Sequence, residues 1–285
     1  MGEEEVGMRV VVTGAAGLVG STIMKSLSPY HEMIGYSKQQ LDITKIADCQ
    51  QILFDEPDLV IHTAAYTSVD GAEDNPEYTY MVNSEGTLNI AAVCSDLEIP
   101  MLYFSTDSVF DGTKRTPYLP EDKTNPISVY AKSKLAGELA VKVNLHEYYI
   151  IRTIWIYGKS RSNFITNAID RFKISSNPIP DISIIEQIAT PTNVDDLCVA
   201  VRKLIETKKW GTYHFTNSGE ASRTKVLDFL AEAFTHSGKC TTSPYLDAKA
   251  ERPYYSILNL EKTESVLQWK SPDWKDSLKR FISHD

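Results

Sequence analysis

Tyr130 and Lys134 stand four residues apart in the run VYAKSK. On a helix that spacing is one turn, so the two side chains share a face. A phenol with an ordinary pKa near ~10 exchanges protons poorly at neutral pH. A neighbouring ammonium favours the phenolate and lowers that pKa, which suits the pair to general acid work. Upstream, an apolar run at 99–104 ends in Ser105-Thr106-Asp107-Ser108, which sets hydroxyls at the end of a strand. Nearer the N-terminus lies MRVVVTGAAGLVG (8–20), with glycines at 14, 17 and 20. A strand, a glycine turn and a helix in that order can cradle a pyrophosphate. Small residues let the backbone approach, and the free N–H groups of the helix start favour negative charge.

The elements needed to position these residues are legible as an alternation. Strands are expected at 10–12, 31–36, 59–62, 99–104 and 148–156. Helices are expected after Gly20, with Ile23, Met24 and Leu27 on one side, and at 46–54 behind a Thr44 cap. A long helix opened by Asp74-Asn75-Pro76 and another at 127–143 complete the set. This argues for α/β architecture with a doubly wound parallel sheet. His62 is expected to be a packed strand residue with no chemistry. Beyond 155 the pattern loosens: helices at 161–174, 194–206, 222–234, 260–267 and 274–282, an Ile-rich stretch at 179–188 and a strand at 211–215. We therefore expect residues 1–158 to form mainly a dinucleotide-binding domain carrying the Tyr/Lys pair. Residues 159–285 form mainly a smaller α/β substrate-binding part, packed on the first and open to interleaving with it.

Where the second strand ends, an NAD-preferring fold places an acid to bind the ribose 2′-hydroxyl. Here Tyr36-Ser37-Lys38 stands in that place. Ser37 and Lys38 favour a 2′-phosphate, so NADPH is the expected cofactor, with NADH as a second candidate. Net charge is −9 without a dense basic cluster, which argues against nucleic acid as a partner. No apolar run approaches the roughly 20 residues of a membrane span. The acidic start, residues 1–7, is unlike a secretory leader and reads as a loose tail, with Met8 an alternative start. Cys49, Cys94, Cys198 and Cys240 are scattered without a C-x-x-C pair, the pattern of reduced, mostly buried thiols in a cytoplasmic protein. No metal-ligand spacing appears.

The glycine turn, strand-end hydroxyl, Tyr and Lys together have the layout of extended short-chain dehydrogenases. More narrowly, the sequence resembles the dTDP-4-dehydrorhamnose reductase family. The matching motifs are LDIT (41–44), PDLVIHTAAYTSVDGAE (57–73), STDSVFDG (105–112), VYAKSKLAGE (129–138) and RTIWIYG (152–158). They continue through Asn163-Phe164, EQIATPT (186–192), GTYHFTNSGEAS (211–222) and RPYYS (252–256), so the resemblance spans nearly the whole chain.

The resemblance implies a Rossmann-type fold and reduction of a nucleotide-linked 4-keto sugar, giving dTDP-L-rhamnose or a close relative. It implies that Thr106 bonds the substrate carbonyl, that Tyr130 is the proton donor, and that Lys134 binds the nicotinamide ribose and tunes the tyrosine. Gly14, Ala16, Gly17, Leu18, Val19, Asp42, Ile43, Ala64, Ala65 and Tyr66 fall on cofactor positions beside Ser37 and Lys38. Ser108, Trp155, Asn163, Gln187 and Arg252 fall toward the sugar nucleotide, with Arg252 expected at its diphosphate. A homodimer is a candidate assembly. Two motifs depart from the family pattern. Ser108 replaces a usual Tyr, and Glu186 and Ala189 replace an acid and a glycine of D-Q-x-G-x-P-T; all three lie on the substrate side. Two other readings remain. One is a sugar-nucleotide epimerase of the same superfamily. The other is a non-catalytic NADP-binding subunit resembling the regulatory β subunit of methionine adenosyltransferase.

Overall fold

The first apolar run becomes β1 (Arg9–Thr13), and its alternation decides how the layers assemble. Val10 and Val12 face one core and Val11 the other, as the two-residue period of a strand requires. The same division recurs in β3 (Leu59–His62), β4 (Met101–Thr106) and β5 (Tyr148–Thr153): Leu59, Ile61, Leu102, Phe104, Tyr149 and Ile151 face one side, and Val60, Met101, Tyr103 and Ile150 the other. Strands buried on both faces belong to a parallel sheet covered by helices on both sides. The computed structural model describes residues 7–174, 182–234, 242–244 and 248–283.

β2 (Glu32–Tyr36) and a strand at Gly211–His214 complete a six-stranded sheet. Its order is Gly211–His214, β5, β4, β3, β1, β2, and every pairing is parallel. The fold is thus α/β and Rossmann-type. The Gly211–His214 strand and the helix Val194–Thr207, which packs in the same core as Val10 and Ile23, come from beyond residue 158. A separate core gathers Phe172, Leu227, Leu230, Trp274 and Phe281 from the helices Phe164–Ile174, Arg223–Ala233 and Trp274–Ser283, with Tyr157 from the strand Ile156–Tyr157.

Several expected boundaries move. The long helix divides into Pro76–Tyr80, a π turn at Met81–Glu85, and Gly86–Asp96. A short helix the sequence did not announce, Val69–Asp74, precedes it, capped by the Ser68 hydroxyl. Thr44 is not a helix cap: its N–H and hydroxyl both bond Asp42, and Lys45 occupies the cap position of Ile46–Cys49 without a side-chain bond. Strand 148–156 stops at Thr153, and Trp155 turns the chain with φ 45° before Ile156–Tyr157 begins a second small sheet. Cys49, Cys94 and Cys198 are free and buried, whereas Cys240 and part of the Ile-rich stretch lie outside the described residues. No helix among the described residues is long and apolar enough to cross a membrane.

Candidate active site

The glycine turn at the C-terminal end of β1 is built for close approach. Gly14 takes φ 72°, and a Cβ there would meet the Ala64 nitrogen at 2.6 Å. A Cβ at Gly20 would strike the Gly14 carbonyl oxygen, so the turn and the helix start are packed backbone on backbone. Helix α1 (Leu18–Leu27) begins immediately afterwards, with Gly17 at its cap and no side chain bonding its first N–H groups. These donors remain for an anion.

Two cavities meet at this turn. One, of about 390 Å3, is lined by Gly14, Ala16, Gly17, Lys38, Asp42, Ile43, Ala64, Ala65 and Tyr66. Asp42 is held there by the Thr44 N–H at 3.1 Å and hydroxyl at 2.8 Å, which keep its carboxyl below the usual range. Lys38 donates to the Tyr78 hydroxyl at 2.7 Å. Ser37 does not line the cavity; its hydroxyl donates to Gln40 Oε1 at 2.7 Å.

The second cavity, of about 530 Å3, has Gly17, Leu18, Val19, Thr106, Asp107, Ser108, Tyr130, Trp155, Asn163, Gln187, Arg223 and Arg252 among its lining residues. Gly17, Thr63, Ala65 and Arg161 border both cavities, so a long dinucleotide has room to run from one to the other. Arg161, unnoticed in the sequence, donates to the Ala16 carbonyl at 3.3 Å.

Tyr130 sits in the first turn of the helix Val129–Asn144, which two side chains fix in place. Ser128 Oγ accepts from the Ala131 N–H at 3.2 Å, and Glu73 Oε1 accepts from the Val129 N–H at 2.9 Å. Asn83 ties this helix to the loop at Tyr66. It accepts from the Tyr66 N–H at 2.8 Å and donates to the Tyr66 carbonyl and Ser133 hydroxyl, both at 3.0 Å. Thr106 ends β4, where its hydroxyl donates to Asp107 Oδ1 at 3.1 Å and accepts from the Ser108 N–H at 3.2 Å. His62, as expected, is packing: it bonds Thr13 at 2.6 Å and Thr87 at 3.2 Å, and burial lowers its pKa to about 3.

The electrostatics differ from the expectation that Lys134 depresses the Tyr130 pKa. Burial and the nearby Asp107 carboxylate push the phenol up to about 12, and the Thr106 hydroxyl opposes them. Lys134 is itself buried behind the cavity wall, with Nζ 4.1 Å from the Tyr103 ring centre. Burial lowers it to about 7, against the opposing charge of Glu138. Desolvation is the largest influence on both groups. Asp107 is perturbed as well: burial raises it to about 6, against the opposing hydroxyls of Ser256, Thr106 and Ser108. Perturbed titratable groups in and beside one cleft mark a candidate site of chemistry.

The residues assigned to the substrate side have varied surroundings. Trp155 holds the left-handed backbone that non-glycine residues rarely adopt, a strain typical of functional sites. Ser108 points its hydroxyl to Asp107 Oδ1 at 3.3 Å. Asn163 is largely committed to structure: its Oδ1 caps the helix Phe164–Ile174 through the Ile165 and Thr166 N–H groups. Gln187 donates to the Pro253 carbonyl at 3.0 Å and accepts from Arg223 at 3.2 Å. Arg252 forms a two-pronged ion pair with Asp70, at 3.1 and 2.8 Å. The Lys249 and Ala250 N–H groups also donate to Asp70, which clamps the C-terminal part onto the helix Val69–Asp74. Glu186 accepts from the Thr224 hydroxyl at 2.9 Å, and Ala189 pairs with Ala221 in a two-stranded sheet.

The chain is similar to known proteins. Residues 8–285 match the family model described as the RmlD substrate binding domain. The chain is 31% identical to the dTDP-4-dehydrorhamnose reductase of Sinorhizobium fredii, over 96% of this chain and 97% of that one. It is 32% identical to the Mycolicibacterium smegmatis protein of the same name, over 96% and 85%. The crystal structure of dTDP-4-dehydrorhamnose reductase from Bacillus anthracis in complex with NADP superposes with a TM-score of 0.92. It is 34% identical and covers 98% of this chain and 100% of that one. A UDP-glucose 4-epimerase from Thermus thermophilus shares the fold, with a TM-score of 0.83 at 20% identity over 97% and 98% of the two chains. By the family model, sequence and structure together, this chain belongs to the dTDP-4-dehydrorhamnose reductase family.

Proposed function

We propose that this protein is an NADPH-dependent reductase of a nucleotide-linked 4-keto sugar, with dTDP-4-dehydro-L-rhamnose as substrate and dTDP-L-rhamnose as product. The observation that carries the reading is the single cleft that Gly17–Val19, Thr106, Tyr130 and Trp155 line together. It brings a dinucleotide turn, a proton donor and a substrate wall within one space.

The turn fits the dinucleotide, since Gly14 and Gly20 leave no room for a Cβ and the α1 donors have no side-chain cap. Gly14, Ala16, Gly17, Leu18 and Val19 would hold its pyrophosphate. Asp42, Ile43, Ala64, Ala65 and Tyr66 would hold the adenosine half. Lys38 favours the 2′-phosphate of NADPH, and the absence of an acid at 36–38 removes the repulsion that would reject it, while NADH remains usable. Bound NADPH supplies a hydride to the carbonyl carbon of the sugar. Thr106 Oγ1 orients the carbonyl oxygen, and Tyr130 Oη gives that oxygen its proton. A phenol held near 12 keeps that proton at neutral pH, the state a donor needs. Lys134, when protonated, stabilises the phenolate left behind. Trp155 offers a flat apolar face to the sugar.

Thr106 and Tyr130 in one cleft, with Lys134 one helical turn beyond Tyr130 and buried behind the wall, support turnover over a purely regulatory role, and the epimerase likeness is one of fold alone. The three described cysteines, free and buried, support a cytoplasmic setting. The test is NADPH consumption with a panel of dTDP-, UDP- and GDP-linked 4-keto sugars. The reading expects stoichiometric oxidation, fastest with dTDP-4-dehydro-L-rhamnose. No net oxidation with any of them, or clear preference for another nucleotide, overturns it.

A further inference from the structure

We infer that Arg223 is a phosphate-binding residue of this cleft, whose guanidinium takes an anionic oxygen of the sugar nucleotide's diphosphate. The inference rests on the nucleotide-sugar reading above and assigns its anchoring charge to a residue outside the motifs that led there. Arg223 opens the helix Arg223–Ala233 behind its Ser222 cap, where sequence alone suggests a surface cation. Instead it lines the catalytic cleft with Ser108, Gln187 and Arg252. Two rings hold it, with Trp155 at 5.0 Å and Phe164 at 4.9 Å from the guanidinium carbon. Gln187 fixes its in-plane rotation through the 3.2 Å bond to NH2.

The group is therefore prepared for a ligand but under-used by the protein. Its Nε is buried without a hydrogen-bond partner, and no carboxylate among the described residues forms an ion pair with it. A guanidinium carries five N–H donors, and leaving buried ones unmade costs free energy until a ligand arrives. Burial and the Arg252 charge lower its pKa to about 10, with Glu186 and Asp107 opposing. Arg252 is less suited to the same task, because Asp70 already neutralises it through both prongs. Trp155 and Gln187 then have a second role as positioning residues. They place a planar cation that matches phosphate in two bonds, which a lysine cannot do equally well.

The test uses the full chain and compares dTDP with thymidine by competition binding, with UDP and GDP alongside and NADPH titrated separately. Arg223→Gln should weaken all three nucleoside diphosphates about 10- to 100-fold, the range for losing hydrogen bonds to a charged group. Thymidine and NADPH affinities should hold, and Arg223→Lys should recover part of the loss. In turnover the change should appear in KM for the sugar nucleotide, with kcat largely kept. The inference is overturned if dTDP and thymidine weaken equally, if dTDP binding is untouched, or if both variants lose NADPH binding as well. The functional reading fails separately: a parent protein that binds dTDP but does not reduce dTDP-4-dehydro-L-rhamnose contradicts that reading and leaves the Arg223 result standing.

Discussion

Replacing Asp107 by Asn should stabilise the protein at neutral pH. The carboxyl is 1% exposed, and burial raises its pKa from 3.8 to about 6 against the hydroxyls of Ser256, Thr106 and Ser108. A rise of roughly two units corresponds to roughly 3 kcal/mol against the ionised form in the fold. Between ~pH 4 and ~pH 6 the folded chain holds a proton on Asp107 that the unfolded chain has released. This contribution to stability therefore falls as pH rises through that window, and the full penalty is present above it. Asn keeps an oxygen for the Thr106 and Ser108 hydroxyls and carries no charge, so it should gain about 1–3 kcal/mol at neutral pH, or several degrees in Tm. The assay is thermal unfolding of parent and variant without ligand across pH. The gain should shrink as pH falls through 6 toward 4. A variant no more stable than its parent at neutral pH, or a gain that does not change with pH, would refute the reasoning.

Three further outcomes follow from the same geometry. Tyr130→Phe should lower kcat about 100-fold or more while NADPH affinity stays nearly intact, because only the proton donor is lost; near-parent turnover would remove Tyr130 from its role. Because Lys134 is lowered to about 7, its cation is present below that pH and lost above it, so kcat/KM for NADPH should decline as pH rises through about 7. A flat profile in the parent, or the same decline in Lys134→Met, would show that another group titrates. Lys38→Ala should raise KM for NADPH by up to about fivefold, the scale of an exposed ion pair, with a smaller effect at high salt and little change for NADH; equal effects on both cofactors would contradict a 2′-phosphate contact.

Much of this architecture was legible in local sequence because its signals are local. The strand–glycine–helix unit at 8–27 depends on Val10–Val12, on Gly14 and on small residues at the turn. The Tyr130–Lys134 spacing needs only a helix. Contacts between distant segments were not legible. The helix Val69–Asp74 is six residues long, too short to announce itself, and its Asp70 meets Arg252 across 182 positions of chain. The strand 211–215 was visible, but its place beside β5 in the main sheet is a matter of topology, which alternation does not encode. Charge states were the least accessible. A four-residue spacing suggests that Lys134 tunes Tyr130, whereas the pKa directions of both follow from desolvation, set by what packs over them. For the same reason nothing local marks Arg223, whose surroundings are Trp155, Phe164 and Gln187 from distant parts of the chain.

Hydride transfer to the sugar, coupled to a proton from Tyr130, is tested most directly with NADPH carrying deuterium at both hydrogen positions of nicotinamide C4. After reaction with dTDP-4-dehydro-L-rhamnose, the product should be dTDP-L-rhamnose carrying one deuterium at C4 of the sugar, with one NADP+ formed per product molecule. Product without deuterium at that carbon, or cofactor returned in its reduced form at the end of the reaction, would contradict the assignment.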